Sequence, residues 1–465
     1  MKVSYTEIVS HYTATMQYDD IPADVIEQAK RLILHTVAAS ISAFPLPQVK
    51  KVISYVQNSG GAEQATIWCS NGIKVPVEEA AFANGTLADQ MDWEDCSWTG
   101  HPSATAIPAI FALSEARNKS GKDFLLALVA GYESSQRIAQ AIQPTREYVM
   151  GGNEWGLISW QILPAALASA KLLNLDAKKI NQTLGASLYQ TINPTNKHSD
   201  GLGKSDIYHY AHGFCARNGL IAATISEVGF DNCFDALDGN DGYWHMVSDK
   251  SDSSWYDKSI GEWWLIKETY LKHWPANMWV QTPLEALEEI MSERNFSIND
   301  VSKIRVSPNI PFICNDYSKT TRSTLDAQFS IPYCLGAYII TKNKSAEWFS
   351  EEMRHNQELI DFAQKFEAFG EVRGFYDNFE IFWTGSFPES TLEVYFNDGT
   401  SISRRSQYPK GHPKNNFSYE EECEHFRSCC SSYMKPDQIE RFIEIVTHLE
   451  ESSNLHELAS LTIIP

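Results

Sequence analysis

Five side chains that can carry negative charge or move a proton lie within thirteen residues of one another. They are Asp89, Asp92, Glu94, Asp95 and His101. A carboxylate and an imidazole on one loop can divide the roles of general acid and general base between them. A charge cluster is often only a solvated loop, but tryptophans at positions 93 and 98 alternate with these charges and predict partial burial. We therefore interpret the segment as a candidate acid–base site.

Two predicted helices must position this cluster. The segment at 77–92, VEEAAFANGTLADQMD, places alanines on one helix face. The segment at 102–117 begins with Pro102 near its first turn, where proline is tolerated. The cluster therefore lies on a connection between two buried helices, and a rigid scaffold commonly presents reactive groups on such a connection.

The rest of the first half predicts further helices in close succession. Helical patterns cover 122–142, 154–173, 177–190 and 210–228. Alanine and glycine are frequent in all of them, and small residues let helix backbones approach closely. The sequence thus predicts a compact all-α core.

After position 294 the pattern changes. Alternation at 301–306 predicts a strand, 323–341 reads as one apolar helix, and 390–405 alternates like two strands across an Asn-Asp-Gly turn. The tail at 418–463 is helical again and is expected to pack on the first half. The predicted fold class is therefore mainly α, with an all-α domain at 1–268, a smaller α+β unit at 269–408, and C-terminal helices at 409–465 that return to the all-α domain.

Composition excludes several classes of partner. The net charge is −21, which disfavours nucleic acid and an anionic membrane surface. Apolar runs are far shorter than a membrane span, and the N-terminus has no signal-peptide core. We expect a cytoplasmic protein that acts on a small molecule.

The nine cysteines are odd in number and scattered, which is typical of reduced thiols and not of a disulfide framework. Only one group clusters with a histidine: Cys423, His425, Cys429 and Cys430. Positions 425 and 429 share a helix face, but no second pair stands at zinc spacing. We expect an ordinary helix there and no metal.

Two lysines are candidates for contact with an anion. Gly203-Lys204-Ser205 imitates the end of a phosphate-binding loop, but His198 stands where that motif needs a glycine. Lys204 thus remains only a candidate anion contact, with a solvated loop as the ordinary interpretation. Lys272 precedes a Trp-Pro turn at the mouth of a predicted helix, where its charge can meet a carboxylate.

The chain resembles the MmgE/PrpD family over nearly its whole length. The resemblance rests on motifs in the right order: the helix at 21–44, Asn84 with DWED at 92–95 and HPSA at 101–104, AGYE at 130–133 with Arg137, HGFCARNG at 212–219, KHWP at 272–275, DAQFSIPY at 326–333 and PKGHP at 409–413. Each motif alone is moderately specific, and their order carries the identification.

The family resemblance implies a large all-α domain built from both chain ends and a smaller α+β lid, usually in a homodimer. It implies a site between the domains that uses neither a metal nor an organic cofactor. The chemistry implied is the loss of water or CO₂, or the removal and return of a proton, next to a carboxylate of a small organic acid.

Site residues follow from the resemblance position by position. The catalytic residues it implies are Asp92, His101, Lys272 and Tyr333. The substrate-binding residues it implies are Cys96, Trp155, Lys204, Tyr208, His209 and Asn277. No metal ligand is implied.

Several of these positions depart from the family pattern. Trp155 stands where a histidine is expected, Tyr208 where a lysine is expected, and Asn277 where a histidine or cysteine is expected. Cys96 replaces a hydroxyl residue. We expect a remodelled site that favours a larger or less charged substrate than a citrate-like triacid, because fewer cations remain to compensate three carboxylates.

Three functions remain open on the sequence. The first is a dehydratase or decarboxylase in which Asp92 and His101 exchange protons and Lys272 anchors a carboxylate. The second is an isomerase or epimerase, or another proton-transfer enzyme of a biosynthetic pathway, which needs only one base and one acid. The third is a catalytically silent member of the family, which is disfavoured because the Asp92/His101 pair is present.

Overall fold

The computed structural model describes residues 4–153, 158–191, 205–231, 233–256 and 260–464. Helices of the first half are α1 (Tyr5–Thr15), α2 (Ala23–Ser42), α3 (Pro47–Ser59), α4 (Val77–Asp89), α5 (Ser103–Arg117), α6 (Gly121–Gln140), α7 (Arg146–Met150), α8 (Ile162–Leu172), α9 (Ala177–Leu188), α10 (Ile207–Glu227) and α11 (Tyr243–Val247). Those of the second half are α12 (Gln281–Glu293), α13 (Thr324–Gln328), α14 (Ile331–Thr341), α15 (Glu351–Arg354), α16 (Gln357–Ala363), α17 (Phe375–Trp383), α18 (Tyr419–Cys430), α19 (Pro436–Thr447) and α20 (His456–Ser460).

Strands in the described ranges are short and form three small sheets. They are β1 (Ala65–Thr66), β2 (Lys74–Val75), β3 (Asp95–Cys96), β4 (Tyr270–Leu271), β5 (Val301–Ser307), β6 (Phe366–Ala368), β7 (Ser390–Phe396) and β8 (Ser401–Ser406). The largest sheet has the order β6-β5-β7-β8, with β5 parallel to β6 and antiparallel to β7. Helix α12 packs on β7 and β8, and α14 packs in turn on α12 and α16. This arrangement confirms the mainly-α class, with a smaller α+β part, whereas the domain boundaries stay predictions.

The apolar segment 323–341 is two helices, and the prediction of a single helix was wrong. The chain leaves the helical conformation at Phe329 and Ser330, and the Ser330 side chain then caps α14. Pro332 follows within the first turn of α14. Because proline lacks an N–H and clashes with the preceding turn, a continuous helix through this point is disfavoured, and Pro332 is accommodated in the first turn of a new helix.

Helices α4, α5, α6, α8 and α10 form the central helical layer. Helix α10 crosses α4 at Gly213, where an added Cβ would lie 2.3 Å from Thr86 Oγ1 and 2.4 Å from the Phe82 carbonyl oxygen. Only glycine allows so close an approach. The crossing carries His209 and His212 of α10 to the end of α4, where the acidic cluster begins.

The C-terminal helices pack on the first half of the chain. Lys30 of α2 donates to the Thr447 carbonyl at 2.6 Å, and Arg31 donates to the Phe417 carbonyl. Helix α18 lies along α2. Within the described ranges no single helix is long and apolar enough to cross a membrane; α2 and α3 satisfy that test only as a pair bent by 98°.

Candidate active site

The acidic cluster begins with an unusual backbone conformation at Asp92, which has a φ of +50°. Its N–H donates to the Asp89 carbonyl at 2.9 Å as α4 ends. Left-handed backbone is disfavoured for most side chains, although aspartate tolerates it better than bulky residues do. The turn directs the next residues back across the end of α4, and β3 follows at once.

Lys272 joins this loop because β4 pairs with β3. Asp95 lies opposite Leu271 in an antiparallel register, so Lys272 follows directly and its N–H approaches the Glu94 carbonyl. The Lys272 Nζ contacts Asp92 Oδ1 and lies 2.6 Å from Glu94 Oε1. All three side chains are buried. Burial opposes the ammonium charge, but the two carboxylates outweigh it and raise the pKa of Lys272 above its ordinary value.

His101 is held through one ring nitrogen and leaves the other for chemistry. Its Nδ1 lies 2.7 Å from Glu94 Oε1 and 2.8 Å from the Asp95 carbonyl oxygen. Its Nε2 faces the Tyr208 hydroxyl at 3.4 Å. Burial and Lys272 both lower the pKa of His101, but Glu94 outweighs them and raises it to about 9. The imidazole is therefore protonated at neutral pH.

The two carboxylates on Lys272 differ in proton affinity. Burial, reinforced by the charge of Glu94, raises the pKa of Asp92 to about 6, although Lys272 opposes this. Burial also acts on Glu94, but Lys272 and then His101 overcome it and hold the pKa of Glu94 below its usual value. Carboxyl groups whose pKa values are pushed apart can take different roles. Asp92 can exchange a proton near neutral pH, whereas Glu94 remains an anionic anchor.

Glu94 is the residue of this site that the sequence-based selection missed. It holds both Lys272 and His101, whereas the predicted set contained only Asp92 from this acidic pair. The left-handed turn at Asp92 brings its carboxylate and that of Glu94, two residues later, to the same ammonium. The sequence signal was the second acidic residue so close to Asp92, but the spacing alone does not predict this turn.

Asp89 organises two further histidines beneath the site. Its Oδ2 lies 2.8 Å from His209 Nδ1 and 2.9 Å from His212 Nδ1. The other ring nitrogens lie 3.0 Å from Gln328 Oε1 and 2.6 Å from Gln161 Oε1 respectively. Burial opposes ionisation of Asp89, but the two imidazoles hold its pKa well below the usual range. His209, expected to bind substrate, thus has protein partners on both nitrogens.

The remaining predicted site residues have different surroundings in the structure. Cys96 is buried beside Met278, and burial raises the pKa of its thiol well above the ordinary value. Asn277 accepts from the Trp279 N–H at 3.0 Å and caps a short turn. The hydroxyl of Tyr333 donates to the Trp348 carbonyl, in contacts away from the acidic cluster. Trp155 and Lys204 lie outside the described residues.

Asp89, Glu94 and His101 each offer a possible metal-ligand atom, and these atoms lie within 4.8 Å of one another. Asp89, however, already receives two imidazoles, and the Lys272 ammonium lies 2.6 Å from Glu94. A cation placed there would face this ammonium at short range. The donor arrangement therefore favours proton transfer over metal binding at this cluster.

Comparison with known proteins gives a consistent result. The chain is 25% identical to cis-aconitate decarboxylase of Aspergillus terreus, in a match that covers 100% of this chain and 97% of the relative. It is 24% identical to human cis-aconitate decarboxylase, covering 94% and 90% respectively. It is 22% identical to a probable 2-methylcitrate dehydratase of Saccharomyces cerevisiae, covering 83% and 78%. The MmgE/PrpD N-terminal domain matches residues 7–255 and the MmgE/PrpD C-terminal domain matches residues 274–451, so the chain belongs to the MmgE/PrpD family.

Proposed function

We propose that this protein is a cofactor-independent lyase that removes water or CO₂ from a small organic acid at a carbon next to a carboxylate. The observation that carries the proposal is the buried array in which Asp92 and Glu94 share Lys272 and Glu94 orients His101. The names of the relatives, which are decarboxylases and a dehydratase, support the same reaction class.

Each member of the array has a distinct role in the proposed reaction. In a dehydration, ionised Asp92 removes a proton from the carbon beside the carboxylate, and the Nε2 proton of His101 leaves with the departing hydroxyl as water. In a decarboxylation, the electrons of the broken C–C bond remain on the carbon, and His101 protonates it. Lys272 stabilises the enolate-like charge that develops in either case.

Proton transfer without loss of a group is the second candidate, and Tyr208 favours it. The Tyr208 hydroxyl lies 3.4 Å from His101 Nε2, and burial followed by Asp92 raises its pKa well above the ordinary value. A neutral hydroxyl therefore stands where the family pattern has a lysine. A substrate with fewer carboxylates suits this site, and an epimerase needs only one base and one acid.

Proton exchange in D₂O tests both candidates. The protein is incubated with C4–C6 hydroxy and unsaturated acids, and each acid is followed by NMR. We expect deuterium beside a carboxylate with the native protein and with His448→Ala, whose side chain is exposed, and none with the double variant Asp92→Asn/His101→Ala, which lacks both the base and the acid.

The accompanying products separate the outcomes. Loss of water or CO₂ supports the lyase, and exchange without such loss supports the epimerase. If no acid exchanges, or if the double variant exchanges as fast as the native protein, this acid–base assignment is wrong. A homodimer, also proposed from the family, is checked by light scattering of the same samples.

A further inference from the structure

A second group of ligand-type side chains lies on the far side of the acidic loop, between α2 and α18. Helix α2 contributes His35, and α18 contributes Glu422 and His425. Cys429 of α18 lies beside His425, with Sγ 3.6 Å from Nε2. The three residues of α18 are spaced by three and four positions, so they share one helix face. The ring of His425 also contacts Trp93 of the acidic loop, with centroids 5.1 Å apart.

The distances within this group approach those of a tetrahedral metal shell. His35, Glu422 and His425 each offer a ligand atom, and these atoms lie within 4.8 Å of one another. The Cys429 Sγ lies 3.6 Å from His425 Nε2, and His35 Nδ1 lies 2.9 Å from Glu422 Oε1. Ligand atoms around tetrahedral zinc are about 3.3 to 3.6 Å apart. Small side-chain shifts would therefore bring His35, Glu422 and His425 around one ion, and Cys429, which contacts His425, is the candidate fourth ligand.

One acceptor in the group is left without a partner. Glu422 is completely buried, and its Oε2 has no hydrogen-bond donor among the described residues. A buried carboxylate oxygen without a donor is costly, and a bound cation would offset that cost.

A cation can reach the group from solvent. His425 and Cys429 line a cavity of about 730 Å³ together with Trp93, His273 and Lys344. Lys344, one of the ammonium groups of this wall, lies 3.4 Å from Glu288 and 2.5 Å from His273 Nε2. Its charge is therefore partly compensated before an ion enters.

We propose that His35, Glu422, His425 and Cys429 bind one zinc ion that joins α18 to α2 behind the acidic loop. Two imidazoles, a carboxylate and a thiolate form a donor set that suits Zn²⁺. Binding displaces the proton of the Cys429 thiol to solvent, because the thiolate is the form that binds zinc and the imidazoles bind as neutral rings. The ion has a structural role and takes no part in the proposed lyase reaction.

Cobalt serves as the spectroscopic probe for this site. The full-length protein is stripped with a chelator and titrated with Co²⁺, then with Zn²⁺ in competition with a chromophoric chelator. We expect one equivalent of tightly bound metal, visible bands of tetrahedral cobalt and a thiolate charge-transfer band. Cys429→Ser abolishes the charge-transfer band, and His425→Gln weakens zinc binding about 100-fold or more.

Cys430→Ser is the matched control because Cys430 is the next residue, is also buried, and lies on another face of the helix. It is expected to bind like the native protein. Zinc is expected to raise the melting temperature of the native protein and of this control, but not of Cys429→Ser. The proposal fails if the native protein shows no tetrahedral thiolate spectrum, or if all variants bind alike; the native spectrum decides even if a variant does not fold.

Discussion

Asp92 and Glu94 are similar groups two residues apart on one ammonium, yet they hold protons differently. Glu94 has a second cation, because its Oε1 also lies 2.7 Å from His101 Nδ1, whereas among the described residues Lys272 is the one cation paired with Asp92. The second Asp92 oxygen is buried without a hydrogen-bond partner in the described part of the chain. Asp92 is therefore suited to act as a base, whereas Glu94 stays ionised and holds Lys272 and His101.

A bell-shaped pH dependence follows from these roles. Asp92 acts ionised, so kcat/KM falls as the pH drops through its raised pKa of about 6. His101 acts protonated, so kcat/KM falls again as the pH rises through its raised pKa of about 9. The check is kcat/KM against pH on a substrate found by the exchange screen. A profile that is flat between pH 5 and 10 would contradict the assignment.

Replacing Lys272 tests whether its positive charge offsets the repulsion between the carboxylates of Asp92 and Glu94. Lys272→Met leaves two buried carboxylates without their cation, and we expect the free energy of unfolding to fall by about 3–5 kcal/mol at pH 7. The double variant Lys272→Met/Glu94→Gln should recover part of this loss, since Asp92 can then take up a proton. Urea denaturation followed by tryptophan fluorescence measures both. Equal losses in the single and double variants would show that the carboxylates do not repel each other.

At the scale of elements, the crossing of α4 and α10 positions the residues that lie beneath the acidic loop. Gly213 lets α10 approach, and His209 and His212 then meet Asp89 at 2.8 and 2.9 Å. His212 in turn lies edge-to-face against His101, with ring centroids 5.3 Å apart. The position of the proton carrier therefore depends on how closely two helices pack.

Gly213→Ala should separate these helices. The added methyl meets Thr86 and the Phe82 carbonyl, so we expect a loss of stability of about 1–3 kcal/mol in spite of the better helix propensity of alanine. We also expect kcat to fall, since His101 loses its support. Gly151→Ala, where φ is −75° and the nearest contact is 3.1 Å, is the control. Thermal unfolding and kcat report the result, and a variant as stable and active as the control would refute the dependence.

The sequence predicted elements with strong local patterns and failed where the pattern was interrupted. The helix at 102–117 is observed at Ser103–Arg117, and the hairpin at 390–405 has its turn at the Asn-Asp-Gly segment. The residues that favour this helix and this hairpin are adjacent in the sequence. The break within the apolar segment 323–341 was harder to predict from the sequence. Ser330 and Pro332 disrupt a helix from within, but they are also tolerated at a helix start, where they are found here.

The site was predictable where its residues are contiguous. Asp92 and His101 stand in one loop, so their proximity follows from the chain. The pairing of Lys272 with Asp92 spans 180 positions and depends on a two-residue sheet, which no periodicity reveals. In the same way, His35 and Glu422 come from opposite ends of the chain, so cysteine spacing in α18 could not indicate that they meet.

At the scale of the whole molecule, the C-terminal helices complete the core of the first half. Phe426 of α18 is fully buried and stacks on Phe442 of α19, with centroids 4.8 Å apart. His35 of α2 pairs with Glu422 at 2.9 Å in the same layer. The tail therefore belongs to the cooperative unit that holds the acidic loop.

Phe426→Ala tests this cooperativity. We expect a loss of about 3–5 kcal/mol and a lower midpoint for the entire unfolding transition. Arg427→Ala, which removes only exposed ion pairs from the neighbouring position, should cost less than about 1 kcal/mol. Urea denaturation is followed by far-UV circular dichroism and tryptophan fluorescence. A small separate transition, with the main one unchanged, would show that the tail folds on its own.

The small sheet of β3 and β4 also has a consequence for synthesis of the chain on the ribosome. Lys272 follows Asp92 by 180 residues, so at about 5–20 residues per second the acidic loop exists for roughly 10–40 s before its cation is made. Burying an unpaired carboxylate costs several kcal/mol, so the loop stays hydrated during that interval. We therefore expect the acidic loop between α4 and α5 to stay exposed to solvent in the nascent chain. It can become buried once Lys272 has been synthesised and can pair with it.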